Sequence, residues 1–138
     1  CMIEDGRLEF ADQNACRFYE KIAYDNEYGG GALDNDEGSR IANALGNNDV
    51  LFMANHGVTV AGTNVAHAWE QLYFLDRACQ AQVLAMSTGR PLKKIPEQTV
   101  RSVAKEIETA ESGVTASYHR HFAALKRLLE PEQPNYRC

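Results

Sequence analysis

The chain has 138 residues, which is enough for one domain with a hydrophobic core and too few for two. Hydrophobic residues make up 44% and charged residues 24% of it, as is typical of a soluble globular protein. A formal net charge of -5, without any basic run, argues against nucleic acid and anionic membranes as partners.

Charges interrupt every apolar window well before the roughly 20 residues that a membrane-spanning helix needs. The first residues also lack the basic-then-apolar pattern of a signal peptide. Four cysteines lie far apart without a CxxC pair, which favours reduced thiols in a cytoplasmic protein. Cys16 and Cys79 fall among apolar residues on predicted helices and are interpreted as small core residues.

The first third of the chain is predicted to contain short strands with a helix between them. Residues 6–10 and 21–24 read as short strands, and Asp12 can cap a helix between them. Residues 25–32 include three consecutive glycines and match neither a P-loop nor a dinucleotide-binding fingerprint. A connecting loop is the favoured interpretation of this stretch, with a ligand-binding loop as the alternative.

A second helix is predicted to begin at Asp34 or Asn35 and to end at Gly46. Asp36 and Glu37 lie in its first turn, where acidic side chains favour the positive end of the helix dipole. Its predicted buried stripe consists of Ile41, Ala42 and Leu45.

The central stretch has two apolar runs, residues 50–54 and 58–61, on either side of Asn55, His56 and Gly57. This pattern predicts a buried strand that breaks and resumes around one imidazole. His56 would then be exposed at a strand end, where a metal, a substrate or a hydrogen-bond partner can approach. The alternative is a β-hairpin turn with an incidental histidine.

The longest helix is predicted from a cap at Asn64 to about Thr88, ending at Gly89. Trp69, among other aromatic residues, widens its apolar surface, so the sheet and another helix or subunit are expected to cover it. Its predicted buried stripe consists of Val65, Ala68, Leu72, Leu75, Cys79, Val83 and Met86.

Two further helices are predicted in the C-terminal half. Pro96 starts the first, and the second covers about residues 115–129, before Pro131 and Pro134. The order of elements indicates an α/β layer with helices packed against a sheet. We assign residues 1–130 to one domain and residues 131–138 to an extended tail.

The remaining candidates for chemistry are weak. His67 is expected to be solvated or locally hydrogen-bonded, and the spacing of His119 and His121 places them on different helix faces. Tyr24 and Tyr28, with a third tyrosine nearby, can donate protons if burial or a cation positions them, but amphipathic packing with the hydroxyl reaching water is the favoured interpretation. If His56 binds zinc, further ligands must come from elsewhere, since a catalytic zinc normally keeps three protein ligands.

Several segments together resemble the class II aldolase/adducin family. The run LFMANHGVTVAGTNVAHAWEQLYFLDRACQAQVLA is similar to the C-terminal half of that domain, and the segments DQNACRFYEKIAY and DEGSRIANALG also resemble it. The likeness covers nearly all of residues 7–90. The sequence around the second helix and at residues 90–95 is closest to that of the bacterial adducin-like branch.

The resemblance implies a three-layer α/β/α fold, commonly assembled as a homotetramer. It also implies zinc or another divalent ion held by three histidines, two in an upstream His-x-His pair and the third in Asn-His-Gly, here His56. The chain has no such pair before residue 7 and no acidic base preceding it. We therefore expect it to be the C-terminal part of a longer domain that contributes one metal ligand, His56.

Two functions follow from the resemblance. The first is a metal-dependent aldolase, lyase or epimerase that acts on a small hydroxy-carbonyl substrate, such as a sugar phosphate, through a metal-stabilised enediolate. The second is a non-catalytic adducin-like interaction domain in which His56 serves only local hydrogen bonding. A small-molecule substrate and a homo-oligomer, in particular a tetramer, are the expected partners.

Overall fold

The computed structural model describes residues 1–30, 35–112 and 116–136. In the described residues, five helices surround a three-stranded sheet. In chain order the elements are α1 (Gln13–Cys16), β1 (Ile22–Asp25), α2 (Asn35–Leu45), β2 (Val50–Met53), β3 (Gly57–Val60), α3 (Val65–Met86), α4 (Glu97–Ala110) and α5 (Ser117–Leu129).

The sheet has the order β1-β2-β3, with β1 parallel and β3 antiparallel to the central strand β2. In the register, Ile22 lies opposite Val50, and Val50 lies opposite Val60. The crossover from β1 to β2 contains α2, as parallel neighbours require, whereas a short turn joins β2 to β3.

Strand pleating sends alternate side chains of β2 to opposite layers. Val50 and Phe52 face the main core with α1 and α3, where the fully buried Phe18 and Leu75 also lie. Met53 faces the other way, toward α2. Helices therefore cover both faces of the sheet, and the predicted α/β/α layering is confirmed.

Residues 6–10 do not form the predicted strand. Side chains take several of its backbone groups, and the Phe10 carbonyl oxygen accepts from the Ile95 N–H at 2.8 Å. The Leu8 N–H donates to the Tyr24 hydroxyl at 3.1 Å, and the Glu9 N–H donates to Gln82 Oε1 at 2.7 Å. Gln82 Nε2 also donates to the Arg7 carbonyl oxygen at 2.8 Å. Side chains that are distant in the sequence bind these backbone groups. The local sequence pattern therefore could not show that the segment is not a strand.

The caps of α1 and α3 are confirmed. The Asp12 carboxylate accepts a hydrogen bond from the Asn14 N–H, and the Asn64 side chain accepts one from the His67 N–H. Asp34, the other candidate cap for α2, lies outside the described residues, as do Gly113 and Cys138. No helix in the described part of the chain is both long enough and apolar enough to cross a bilayer.

The predicted buried stripe of α3 is largely wrong. Val65, Leu72, Val83 and Met86 are exposed, and the buried positions of α3 are Ala66, Glu70, Gln71, Leu75 and Ala78. The difference arises because α1 and α5 cover a face about one residue away from the most apolar one. Ala42, in the predicted buried stripe of α2, is also exposed.

Candidate functional site

His56 lies on the turn that joins β2 to β3, so the two apolar runs form a hairpin. Asn55 has a φ of 57° and Gly57 a φ of 156°, both in the region that favours glycine and tolerates asparagine. The His56 N–H donates to the Met53 carbonyl oxygen at 3.2 Å, which closes the turn. The His56 side chain is left exposed to solvent at the sheet edge.

The first residue of the chain lies against the same turn. The Asn55 N–H donates to the Cys1 carbonyl oxygen at 2.9 Å, and the Cys1 thiol donates to the Gly57 carbonyl oxygen at 3.0 Å. These two contacts flank His56 in the sequence. The N-terminal segment therefore lies beside the edge of the hairpin that carries the imidazole.

A cleft of about 400 Å³ opens next to this edge, at the carboxyl ends of the parallel strands β1 and β2. Tyr24, Asn26 and Asn55 line one side, and residues 1–7 line the other. Ligands of open α/β sheets characteristically bind at the carboxyl ends of parallel strands. The cleft is thus in the expected place for a small-molecule site.

Tyr24 forms part of the cleft wall together with a cation. The guanidinium of Arg7 lies 4.0 Å from the centre of the Tyr24 ring, and the ring stacks on Phe52 at 5.4 Å. Burial raises the pKa of the Tyr24 phenol. The hydroxyl already accepts the Leu8 N–H, so packing and local hydrogen bonding describe this tyrosine better than proton donation.

On the α2 side of His56 lies an ionic network that the sequence did not reveal. Arg40 donates to Asp25 Oδ2 at 2.7 Å and, through two nitrogens, to both carboxylate oxygens of Glu37 at 2.7 and 2.8 Å. These hydrogen bonds raise the pKa of Arg40 and lower that of Glu37. The spacing of Glu37 and Arg40 was a usable signal, since residues three apart share a helix face.

Tyr28 completes the surroundings of His56. Its ring centre lies 6.5 Å from that of the imidazole, and both rings line a small crevice with Glu37, Arg40 and Met53. Tyr28 as a whole is 55% exposed. The glycine-rich loop therefore brings a tyrosine toward the histidine, which a purely connecting role does not require.

The other histidines have local partners away from this turn. His67 Nδ1 accepts the Thr63 N–H at 3.2 Å, and its ring stacks on Tyr118 at 5.0 Å. His121 contacts the buried carboxylate of Glu70, whereas His119 is exposed. His119 and His121 thus face different surroundings, as their spacing predicts.

His56 fits the role of one metal ligand. Its imidazole is exposed and, among the described residues, forms no hydrogen bond or ion pair through the ring. Within the same residues, no group of three histidine, cysteine or acidic side chains is arranged to hold a metal. The described residues therefore supply one ligand of a metal centre, His56.

The three-layer fold and the Asn-His-Gly turn at the end of β2 are the features on which the resemblance to class II aldolase-type α/β proteins rests. The family model for the class II aldolase and adducin N-terminal domain matches residues 1–83. The chain belongs to the class II aldolase/adducin family, and the resemblance seen in the sequence is confirmed.

Known relatives extend the likeness over almost the whole chain. The decarboxylase NovR of Streptomyces niveus is 33% identical over 89% of this chain and 47% of its own length. The crystal structure of an aldolase II superfamily protein from Pseudomonas syringae matches with a TM-score of 0.83 and 33% identity, covering 99% of this chain and 53% of that one.

A more distant structure supports the fold alone. L-fuculose 1-phosphate aldolase from Glaciozyma antarctica matches with a TM-score of 0.68 and 23% identity, over 94% of this chain and 46% of that one. The present chain spans about half the length of the relatives it matches. The division into residues 1–130 and a tail at 131–138 stays a prediction.

Proposed function

We propose that this chain forms part of a class II aldolase-type lyase that acts on a small hydroxy-carbonyl compound, with a divalent cation, zinc or another, bound through His56. The observation that carries the proposal is the exposed imidazole of His56 on the turn after β2, where the neighbouring Asn55 lines the cleft at the carboxyl ends of β1 and β2. A sugar phosphate is one candidate substrate. Family membership supports lyase chemistry in general and leaves the substrate open.

Within this proposal each part of the site has a separate task. His56 would hold the cation, which when bound supplies Lewis-acid polarisation of a carbonyl group. The cleft beside the hairpin would hold the rest of the substrate, between the strand ends and residues 1–7.

The test is the metal content of the full-length protein that contains this chain. His56→Ala should lower the bound metal sharply, measured by elemental analysis after gel filtration, because it removes a ligand. His119→Ala is the matched control, since His119 is exposed and lies on α5. Unchanged metal content in His56→Ala would contradict the proposal and favour the non-catalytic, adducin-like interaction domain.

We also propose that the protein assembles as a homo-oligomer, with a tetramer as the form that the family resemblance implies. The support is the exposed apolar surface of α3, where Val83 is 55%, Leu84 70% and Met86 44% exposed. Light scattering of the full-length protein at micromolar concentration should give a mass above that of the monomer. A strictly monomeric mass would rule out the assembly.

A cytoplasmic location stays a prediction.

A further inference from the structure

The carboxyl end of β1 holds a buried carboxylate that has no task in the proposed function. Asp25 is 7% exposed and makes three connections. Its Oδ2 accepts from Arg40 at 2.7 Å, its Oδ1 accepts from the Glu27 N–H at 3.1 Å, and its carbonyl oxygen accepts from the Ala54 N–H at 2.8 Å. Asp25 thereby joins α2, the loop that follows β1, and the end of β2 just before His56.

Arg40 connects this carboxylate to a second one. Its guanidinium forms two parallel hydrogen bonds with Glu37 and a third with Asp25. Such charge-assisted, bidentate bonds are short and directional, and the planar fork of arginine makes three of them without rearrangement. The ammonium of lysine cannot reproduce this geometry, because it is a point charge on a flexible stem.

The same network touches the loop that carries Tyr28. A Cβ atom added at Gly29 would lie 3.7 Å from the Glu37 carboxylate, so the loop backbone runs directly beside it. Tyr28, Glu37, Arg40, Met53 and His56 all line one small crevice. The network thus contacts both segments that border the imidazole, residues 26–30 and the turn after β2.

We propose that Arg40 is a positioning residue for His56, since its hydrogen bonds to Asp25 and Glu37 fix the two segments between which the imidazole is presented. This inference rests on the proposed role of His56 as a metal ligand. Outer groups that orient metal ligands typically contribute 10- to 100-fold in metal affinity. Loss of the network should therefore weaken metal binding without removing a ligand.

The experiment measures zinc affinity of the full-length protein by competition with a chromogenic chelator. Arg40→Gln and Arg40→Lys should each weaken binding by about 10-fold or more, because neither side chain makes the three bonds. Arg101→Gln is the control, since Arg101 forms an exposed pair with Glu97 on α4 and should leave zinc affinity unchanged. Circular dichroism establishes that each variant is folded.

The outcomes separate the two proposals. If His56→Ala abolishes tight zinc binding while Arg40→Gln binds as the wild type does, Arg40 has no positioning role and the metal proposal stands. If Arg40→Lys retains full affinity, charge alone suffices and the inference is wrong. If His56→Ala binds zinc normally, the proposed function fails and the inference fails with it.

Hydrogen exchange provides a readout that does not need metal. Arg40→Gln should speed the exchange of the Glu27 and Ala54 amides, which donate to Asp25. The Val50 amide, which donates to the Lys21 carbonyl oxygen at the opposite end of β2, should exchange as before. Equal changes at all three amides would indicate general destabilisation and would overturn the positioning role.

Discussion

The carboxylate of Glu70 on α3 lies 2.5 Å from Nδ1 of His121 on α5. Glu70 is 3% exposed, and Trp69 and Tyr73 present their rings to His121 edge to face, each at 5.0 Å between ring centres. A buried polar contact inside an aromatic cluster is thus a principal link between the last helix and the rest of the domain.

Glu70→Ala is expected to lower the free energy of unfolding by about 1–3 kcal/mol, because it leaves a polar group without its partner in a partly buried place. Urea denaturation followed by circular dichroism measures the change. His119→Ala, at an exposed position of α5, should stay within about 0.5 kcal/mol of the wild type. Equal midpoints for the two variants would show that the contact is not stabilising.

Leu75→Ala tests the face of α3 that the fold selects as core. Leu75 is 1% exposed, so the change should cost about 2–5 kcal/mol through lost burial and a residual cavity. Leu84→Ala, on the same helix but at a position 70% exposed, should cost far less in the isolated chain. Thermal unfolding of both variants measures this difference, and equal costs would contradict the burial of Leu75.

Two glycines offer a matched pair. A Cβ at Gly62 would lie 2.5 Å from the Ala68 nitrogen, so Gly62→Ala should destabilise by about 1–3 kcal/mol, as overpacking does. Gly38 lies in α2 with no atom within 4 Å of an added Cβ. Gly38→Ala should instead stabilise by up to about 1 kcal/mol, through helix propensity. Shifts of the same sign in urea titrations would contradict this reading of the contacts.

The stability of the protein should depend on pH through His67. Burial lowers the pKa of His67 below its ordinary value of 6.5, and an Nδ1 that accepts the Thr63 N–H cannot itself carry a proton. The unfolded chain therefore binds more protons at and just below pH 6.5. Unfolding accordingly becomes easier as the pH falls through this range.

His67→Gln removes this contribution. The difference in unfolding free energy between about pH 7.5 and about pH 5.5 should be smaller in the variant than in the wild type. The negative charges of Asp49 and Glu70 raise the pKa of His67, whereas the positive charges of Lys21 and Arg17 lower it further. Because salt screens these charges, the measurement should be made at low salt. An identical pH profile for both proteins would count against a buried, neutral His67.

Much of the fold was predictable because it follows from local rules. The caps at Asp12 and Asn64, the two runs around Asn-His-Gly and the long helix all depend on residues close together in the chain. Capping and hydrophobic periodicity are predictive because each results from interactions of residues that are close together in the sequence. They also placed His56 at an exposed strand end.

Errors arose where distant groups competed with local ones. Residues 6–10 look like a strand, yet Gln82 and the Tyr24 hydroxyl take their backbone hydrogen bonds. On α3 the most apolar stripe is not the most buried one, because the positions of α1 and α5 decide which side is covered.

The amino-acid order thus specified the elements, their caps and a histidine exposed on a turn, since each depends on short-range geometry. The three-dimensional packing alone brought Asp25, at the end of a strand, to Arg40 and its helical neighbour Glu37 beside that turn. Such contacts join residues far apart in sequence, and their partners are chosen by how the layers stack rather than by any spacing along the chain.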